Sequence, residues 1–177
     1  MSPLPVLPLD PLAYAPYGEV VSPRHDQSTR PANLGTAIRH LDVAALRDLR
    51  PGSARPHLSI YCCAPPPGAP TVRLLERHAH STQLFVPLGD GARYLAVVAR
   101  GAERPDLATL RIFEVTGCTG ITYHPGTWHH PLIVLDRPTD FLCLVWEDGT
   151  AGDCEEVAIA PALEVGVTPR PTSPPAP

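Results

Sequence analysis

Two short stretches concentrate the residue types that move protons or bind metals. The first is GITYHPGTWHHP, Gly120 to Pro131, with His124, His129 and His130, plus Tyr123 and Trp128, around a Pro125-Gly126 turn. The second is ERHAHSTQ, which carries Glu76, His78, His80 and Gln83. Histidine has an ordinary pKa of about 6.5, so it takes and gives protons near neutrality. Its neutral ring nitrogen is also a metal ligand, as is a carboxylate. In an extended chain, side chains alternate between faces. His78 and His80 then share one face, and Glu76 has the same parity. His129 and His130 are adjacent and take opposite faces, so only one of them enters a given cavity. Competing readings are hydrogen-bonded structural histidines beside a turn, an exposed His80 at a strand end, and a surface Glu76 paired with Arg73 or Arg77.

Short strands must position these groups. The chain has 177 residues, enough for one domain with a real core, and its 24 prolines oppose long helices and central strands. Strands are predicted at Glu19–Ser22, His57–Cys63, Val72–His78, Thr82–Pro87, Arg93–Ala99, Thr109–Val115, Thr119–Tyr123, Leu132–Asp136, Asp140–Glu147 and Cys154–Ile159. The segments Leu132–Asp136 and Asp140–Glu147 read as a hairpin around Arg137-Pro138-Thr139. Asp10-Pro11 suits a one-turn helix, with Asp10 as cap and Pro11 in the first turn. Val43, Leu46 and Leu49 stand at helical spacing, so Asp42–Arg50 is predicted as the best helix. Ser22–Ala32 reads as a loop. Many short strands separated by turns predict a mainly β fold, an antiparallel barrel or sandwich with one or two short helices. The domain is expected over residues 1–160, followed by a proline-rich disordered tail over 161–177.

Composition excludes several classes. The net charge of −4, with 18% charged residues, supplies no basic surface for nucleic acid or for an anionic membrane. No apolar run reaches the roughly 18 residues of a membrane span, and the N-terminus does not read as a secretory leader. Five cysteines without a CxxC fit neither a disulfide framework nor a zinc knuckle. They predict reduced, mostly buried thiols and a cytoplasmic location.

The order Gly120, Pro125-Gly126, His129 resembles the second motif of the cupin barrels, which makes His129 the inward candidate. HxH at His78 and His80 resembles the first cupin motif. The acid that usually follows is absent, and Gln83 stands nearby. A wider resemblance, over about residues 5–160, is to the ureidoglycolate lyase family. It is carried by Tyr17-Gly18, Asn33 with Arg39, ERH at Glu76–His78 with Gln83, Phe85 and Pro87, RPDLATLRIF at Arg104–Phe113, YHPGTWHHPL at Tyr123–Leu132 and DCEEV at Asp153–Val157. The resemblance implies a cupin-like barrel, a homodimer, and cleavage of ureidoglycolate to glyoxylate and urea in purine (allantoin) breakdown. It leaves open a metal-free site or one holding a divalent ion such as nickel or zinc. Cys62 stands where many members carry an arginine.

That chemistry sets roles. Ureidoglycolate is a carbinolamide, with hydroxyl, carboxylate and ureido nitrogen on one carbon. Cleavage needs a base for the hydroxyl proton, an acid for the departing nitrogen and a cation for the carboxylate. The histidine-rich turn motivates His124 as base or acid, and His129 and His78 as metal ligands or orienting groups. Glu76 supplies a carboxylate, and Gln83 bonds a substrate oxygen. Tyr123 and Trp128 form the pocket wall, and Arg39, with Asn33, holds the carboxylate in place of the missing arginine. A surface role for Arg39 competes with this. Two other functions fit the residues: another metal-dependent cupin enzyme, and a non-catalytic cupin that senses a small acid.

Overall fold

Alternating apolar residues punctuated by proline and glycine form a mainly β fold in the computed structural model, which describes residues 2–23, 27–50 and 52–168. The strands are β1 (Leu4–Pro5), β2 (Leu7–Pro8), β3 (Val20–Val21), β4 (Thr29–Ala32), β5 (Ala37–His40), β6 (Arg55–Cys63), β7 (Thr71–Arg77), β8 (Gln83–Pro87), β9 (Arg93–Arg100), β10 (Asp106–Thr116), β11 (Gly120–Tyr123), β12 (Trp128–His129), β13 (Ile133–Val134), β14 (Thr139–Glu147) and β15 (Glu155–Gly166). One helix, α1 (Pro11–Tyr14), follows β2, and the Asp10 carboxylate caps it by accepting the Ala13 N–H at 2.8 Å. A 3-10 turn covers Asn33–Gly35.

The larger sheet runs β1-β15-β7-β12-β9-β10-β2, with β13 also on β9; the second runs β3-β11-β8-β14-β6. Most pairs are antiparallel. The exceptions are β1 with β15 and β2 with β10, both parallel. These two strands are consecutive in the chain, so residues 4–8 bridge the free edges of the larger sheet and nearly close it into a barrel. One apolar core joins Tyr94, Val98 and Phe113 of the larger sheet to Phe85, Ile121 and Phe141 of the second. The other gathers Val72, Leu75, Leu95, Val97, Ile112 and Trp128 with Leu4 and Val6, on the side that the larger sheet wraps. Strand β9 is covered on both faces and buried from Arg93 to Ala99, which is why its sequence reads as one apolar run.

Five expectations are corrected. Residues 42–50 form no helix. Leu46 and Leu49 remain exposed, so a helix there would have no apolar face to bury. The backbone pairs instead with 80–82: Leu49 N–H donates to the His80 carbonyl, and Thr82 N–H to that of Arg47. The predicted Ser22–Ala32 loop ends in β4, which forms a hairpin with β5. Residues 132–147 are not a hairpin, because β13 pairs with β9 while β14 pairs with β6 and β8. The 137–139 turn therefore carries the chain between sheets. The last strand continues through Pro161 to Gly166, so residues 161–166 belong to the sheet; the rest of the expected tail from 169 onward lies outside the described residues. Finally, all five cysteines are unpaired thiols, but only Cys143 is buried.

The N-terminal segment is locked against β11 at Gly18. A Cβ there would lie 1.7 Å from the Thr122 carbonyl oxygen, which accepts the Tyr14 hydroxyl. Gly18→Ala must displace this contact and is expected to cost about 1–3 kcal/mol. Urea unfolding checks it, and an unchanged midpoint contradicts it.

Candidate active site

The two sequence clusters meet. His129 on β12 lies directly opposite Glu76 on β7, and its Nε2 is 3.4 Å from Glu76 Oε1. Gly126 N–H donates to the His78 carbonyl at 2.9 Å, tying the Pro-Gly turn to the end of β7. Gly126 has φ +82°, which favours glycine. One ligand atom from each of Glu76, His78 and His129 lies within 4.8 Å of the others.

Backbone carbonyls fix both imidazoles. His129 Nδ1 is 2.9 Å from the Thr127 carbonyl oxygen, and His78 Nδ1 is 2.7 Å from that of Asp153. A carbonyl only accepts, so each Nδ1 donates to it, and each ring turns its Nε2 away from that carbonyl. The His129 Nε2 is buried and has no hydrogen-bond partner; 3.4 Å from a carboxylate oxygen is long for one. A lone pair facing a carboxylate calls for positive charge between them, either a proton or a cation. The donor set of one carboxylate oxygen and two imidazole nitrogens therefore fits a divalent ion.

Burial first, then the neighbouring His129, lowers the His78 pKa against the opposing Asp153 bond. Burial raises the Glu76 carboxyl, but the His129 contact and the charges of His129, His78 and His130 outweigh it, so the net shift is down. Both shifts run downward, the Glu76 carboxyl and the His78 imidazole alike.

Two further polar atoms are buried without partners, Gln83 Oε1 and the Tyr123 hydroxyl. The Tyr123 ring stacks on His129, with centroids 4.0 Å apart. Burial pushes the Tyr123 phenol far up, so it stays protonated and donates. Gln83 lies directly opposite Tyr123 where β8 pairs with β11, and its Oε1 is the acceptor left without a partner there.

Other predicted residues lie elsewhere. His124 Nε2 faces the Ala15 carbonyl oxygen at 3.2 Å, outside the Glu76–His78–His129 group. Trp128 faces away from His129 into the larger sheet's core, where Arg77 covers its ring at 4.8 Å and Nε1 donates to Ala102. His130 borders a hollow of about 590 Å3 together with Arg73 and the proline-rich loop. His80 is exposed. Asn33 and Arg39 are exposed on the β4–β5 hairpin. Cys62 faces Asp140.

One positioning system was not anticipated. Arg50 pairs with Asp148 at 2.8 Å and with Asp153 at 2.7 Å. The Asp153 carboxylate also accepts the backbone N–H groups of Asp148 and Gly149. This fastens the loop whose Asp153 carbonyl orients His78. Arg50→Ala is expected to lower activity about 10-fold or more through His78, as loss of such outer contacts does; unchanged kcat/KM contradicts it. Burial raises the Asp153 carboxyl, yet these bonds hold it at about 2 instead of 3.8. A depressed folded pKa adds stability that is complete above the unfolded value and is lost as pH falls toward the folded one. Between pH ~4 and ~2 the Tm advantage of wild type over Asp153→Asn is therefore expected to shrink. A constant gap contradicts this.

The fold is a mainly β, cupin-like barrel, and the half-buried Glu76 with the buried His78 and His129 is a candidate metal-binding triad within it. A family model described as ureidoglycolate lyase matches residues 1–166. The relative named ureidoglycolate lyase from Burkholderia cepacia is 37% identical over 166 residues, covering 90% of this chain and 89% of its own. Those of that name from Escherichia coli O157:H7 and Shigella flexneri are each 36% identical over 156 residues, covering 88% of this chain and 94% of theirs. The chain belongs to the ureidoglycolate lyase family.

Proposed function

We infer that the chain is a urea-releasing C–N lyase that cleaves ureidoglycolate to glyoxylate and urea in purine breakdown. The observation that carries this reading is the Glu76–His78–His129 group, flanked by the orphaned Gln83 oxygen and Tyr123 hydroxyl, in a chain that belongs to this family along its length.

The substrate supplies what these groups lack. Its ureido N–H groups are donors for Gln83 Oε1, and its ureido nitrogen or carbonyl accepts from Tyr123. Its hydroxyl proton finds acceptors in Glu76 and the His129 Nε2. As that proton leaves, the C–O bond becomes a carbonyl and the C–N bond breaks. The departing nitrogen then recovers a proton from the His129–Glu76 pair, and the stacked Tyr123 ring keeps the imidazole in place. Glu76, His78 and His129 are also the residues that would hold a divalent ion such as nickel or zinc. Such an ion supplies Lewis-acid polarisation of the substrate's oxygens. The working form is a homodimer, supported by the exposed Leu58, Ile60 and Tyr61 along β6. Its unpaired cysteines support a cytoplasmic location. Among the described residues no helix is long and apolar enough to cross a membrane.

Assaying urea release before and after dialysis against a chelator tests the reading. Loss of turnover that one divalent ion restores supports the metal-holding site. Turnover unaffected by chelation, at full metal depletion, assigns Glu76 and His129 to acid–base work alone. Binding of ureidoglycolate without urea release overturns the lyase reading.

A further inference from the structure

The substrate of the lyase reading carries a carboxylate, and the fixed cations of this chain are all arginine: its 14 Lys and Arg residues include no lysine. An arginine stays charged at any working pH and grips a carboxylate with two parallel N–H donors. Two arginines that border the Glu76–His78–His129 group are already committed. Arg50 is taken by Asp148 and Asp153, and Arg77 by Glu155 and the Trp128 ring. Arg39 stands on the β4–β5 hairpin, a sheet apart from both barrel sheets.

Strand β6 offers another. In an antiparallel pair, directly opposite residues share a face. Tyr61, Ser59, His57 and Arg55 of β6 lie opposite Phe141, Cys143, Val145 and Glu147 of β14. Phe141, Cys143 and Val145 are buried, so this face of β6 looks inward. Ring contacts agree with that direction. Tyr61 packs edge-on against Phe85, and Phe85 against Tyr123, the residue that stacks on His129.

Strand register carries the same face to the site. Tyr123 lies opposite Gln83, while Cys143 and Leu144 lie opposite Phe85 and Leu84. One further step sets Val145 beside Gln83, and Val145 lies opposite His57. Tyr123, Gln83, Val145 and His57 therefore form one row across the second sheet. With strands about 4.8 Å apart, β6 stands about 10 Å from Gln83. A bound ureidoglycolate and one long side chain together fill that gap. Arg55 is the next residue of this face, on a strand that closes the edge of its sheet. Its side chain is exposed and, among the described residues, makes no hydrogen bond or ion pair. Glu147, opposite Arg55, acts electrostatically on His78, Tyr61 and Cys154, which ties this end of β6 to the site.

We propose that Arg55 anchors the substrate's carboxylate, in the same chain whose Gln83 and Tyr123 meet the ureido end. Held at both ends, the substrate presents its hydroxyl-bearing carbon to Glu76 and His129. The inference rests on the lyase reading for the identity of the substrate, but recognition of a ureido carboxylate by Arg55 does not require turnover.

Titration calorimetry with N-carbamoylglycine tests this. That molecule has the ureido and carboxylate groups but no hydroxyl, so it cannot be cleaved; its uncharged carboxamide is the control. Wild type is expected to prefer the carboxylate by about 10–100-fold, the worth of a charged hydrogen bond. Arg55→Ala is expected to erase that preference while keeping its affinity for the carboxamide, and Arg55→Lys to restore part of it. A side chain that only supported the fold would weaken both ligands alike. On ureidoglycolate, Arg55→Ala is expected to raise KM by about 10–100-fold with kcat within a few-fold, as loss of uniform binding does. A preference that Arg55→Ala retains, or that wild type lacks, overturns the anchor, as does a loss that falls on Arg39→Ala instead. An Arg55-dependent preference in an enzyme that releases no urea removes the lyase reading and leaves the anchor standing. Urea release with no dependence on Arg55 does the reverse.

Discussion

His129→Ala is expected to lower kcat/KM on ureidoglycolate by at least ~100-fold, the lower end of what a positioned acid–base group contributes. Three contacts justify the size of the effect. The Thr127 carbonyl fixes the tautomer, Tyr123 stacks on the ring, and Nε2 faces Glu76 at 3.4 Å. Removing the ring takes away the neighbour that most offsets the burial of Glu76, so the carboxyl pKa is expected to rise. If the site holds an ion, one of three ligands is gone as well. The variant should fold, because the lost Nδ1 bond and ring stacking are partly offset by removing the buried, unpaired Nε2. Near-normal turnover by folded His129→Ala would sink the assignment.

Trp128→Ala, one residue away, is expected to do the opposite. Its side chain is fully buried in the larger sheet's core, under Arg77 and bonded to the Ala102 carbonyl. Truncating such a residue costs about 3–5 kcal/mol, from lost transfer energy and the cavity left behind. The ring has no place in the His129 cavity, so the folded fraction should keep kcat/KM within a few-fold when measured cold. Urea unfolding alongside kinetics separates the two effects. A stable but inactive Trp128→Ala contradicts the placement of its ring.

Adjacent residues with opposite roles show what was legible in the sequence. Strand periodicity correctly set His129 against His130, and the same rule places Trp128 with His130, away from the site. The apolar runs at 82–87 and 93–99 identified β8 and β9, because burial of a strand is written locally. Val43, Leu46 and Leu49 also make a local pattern, but a helix needs a surface to pack on, and here the segment pairs with 80–82 instead. The sheet partners of β13 and β14 are distant in the chain, so adjacency in sequence was a poor guide. Within the candidate site, Glu76 and His78 stand out by residue type and parity, His129 by its spacing from Gly126, and Gln83 by its place just after His80. The Thr127 and Asp153 carbonyls that orient the rings carry no residue signature, and Arg50 looks like any surface arginine until the fold brings it to Asp153.

The most direct test is to follow purified enzyme acting on carbon-13-labelled ureidoglycolate by NMR. The account predicts loss of the carbinolamide signal with glyoxylate and urea appearing in equal amounts, beyond the substrate's spontaneous decay. Persistence of the substrate, or ammonia released in place of urea, contradicts it.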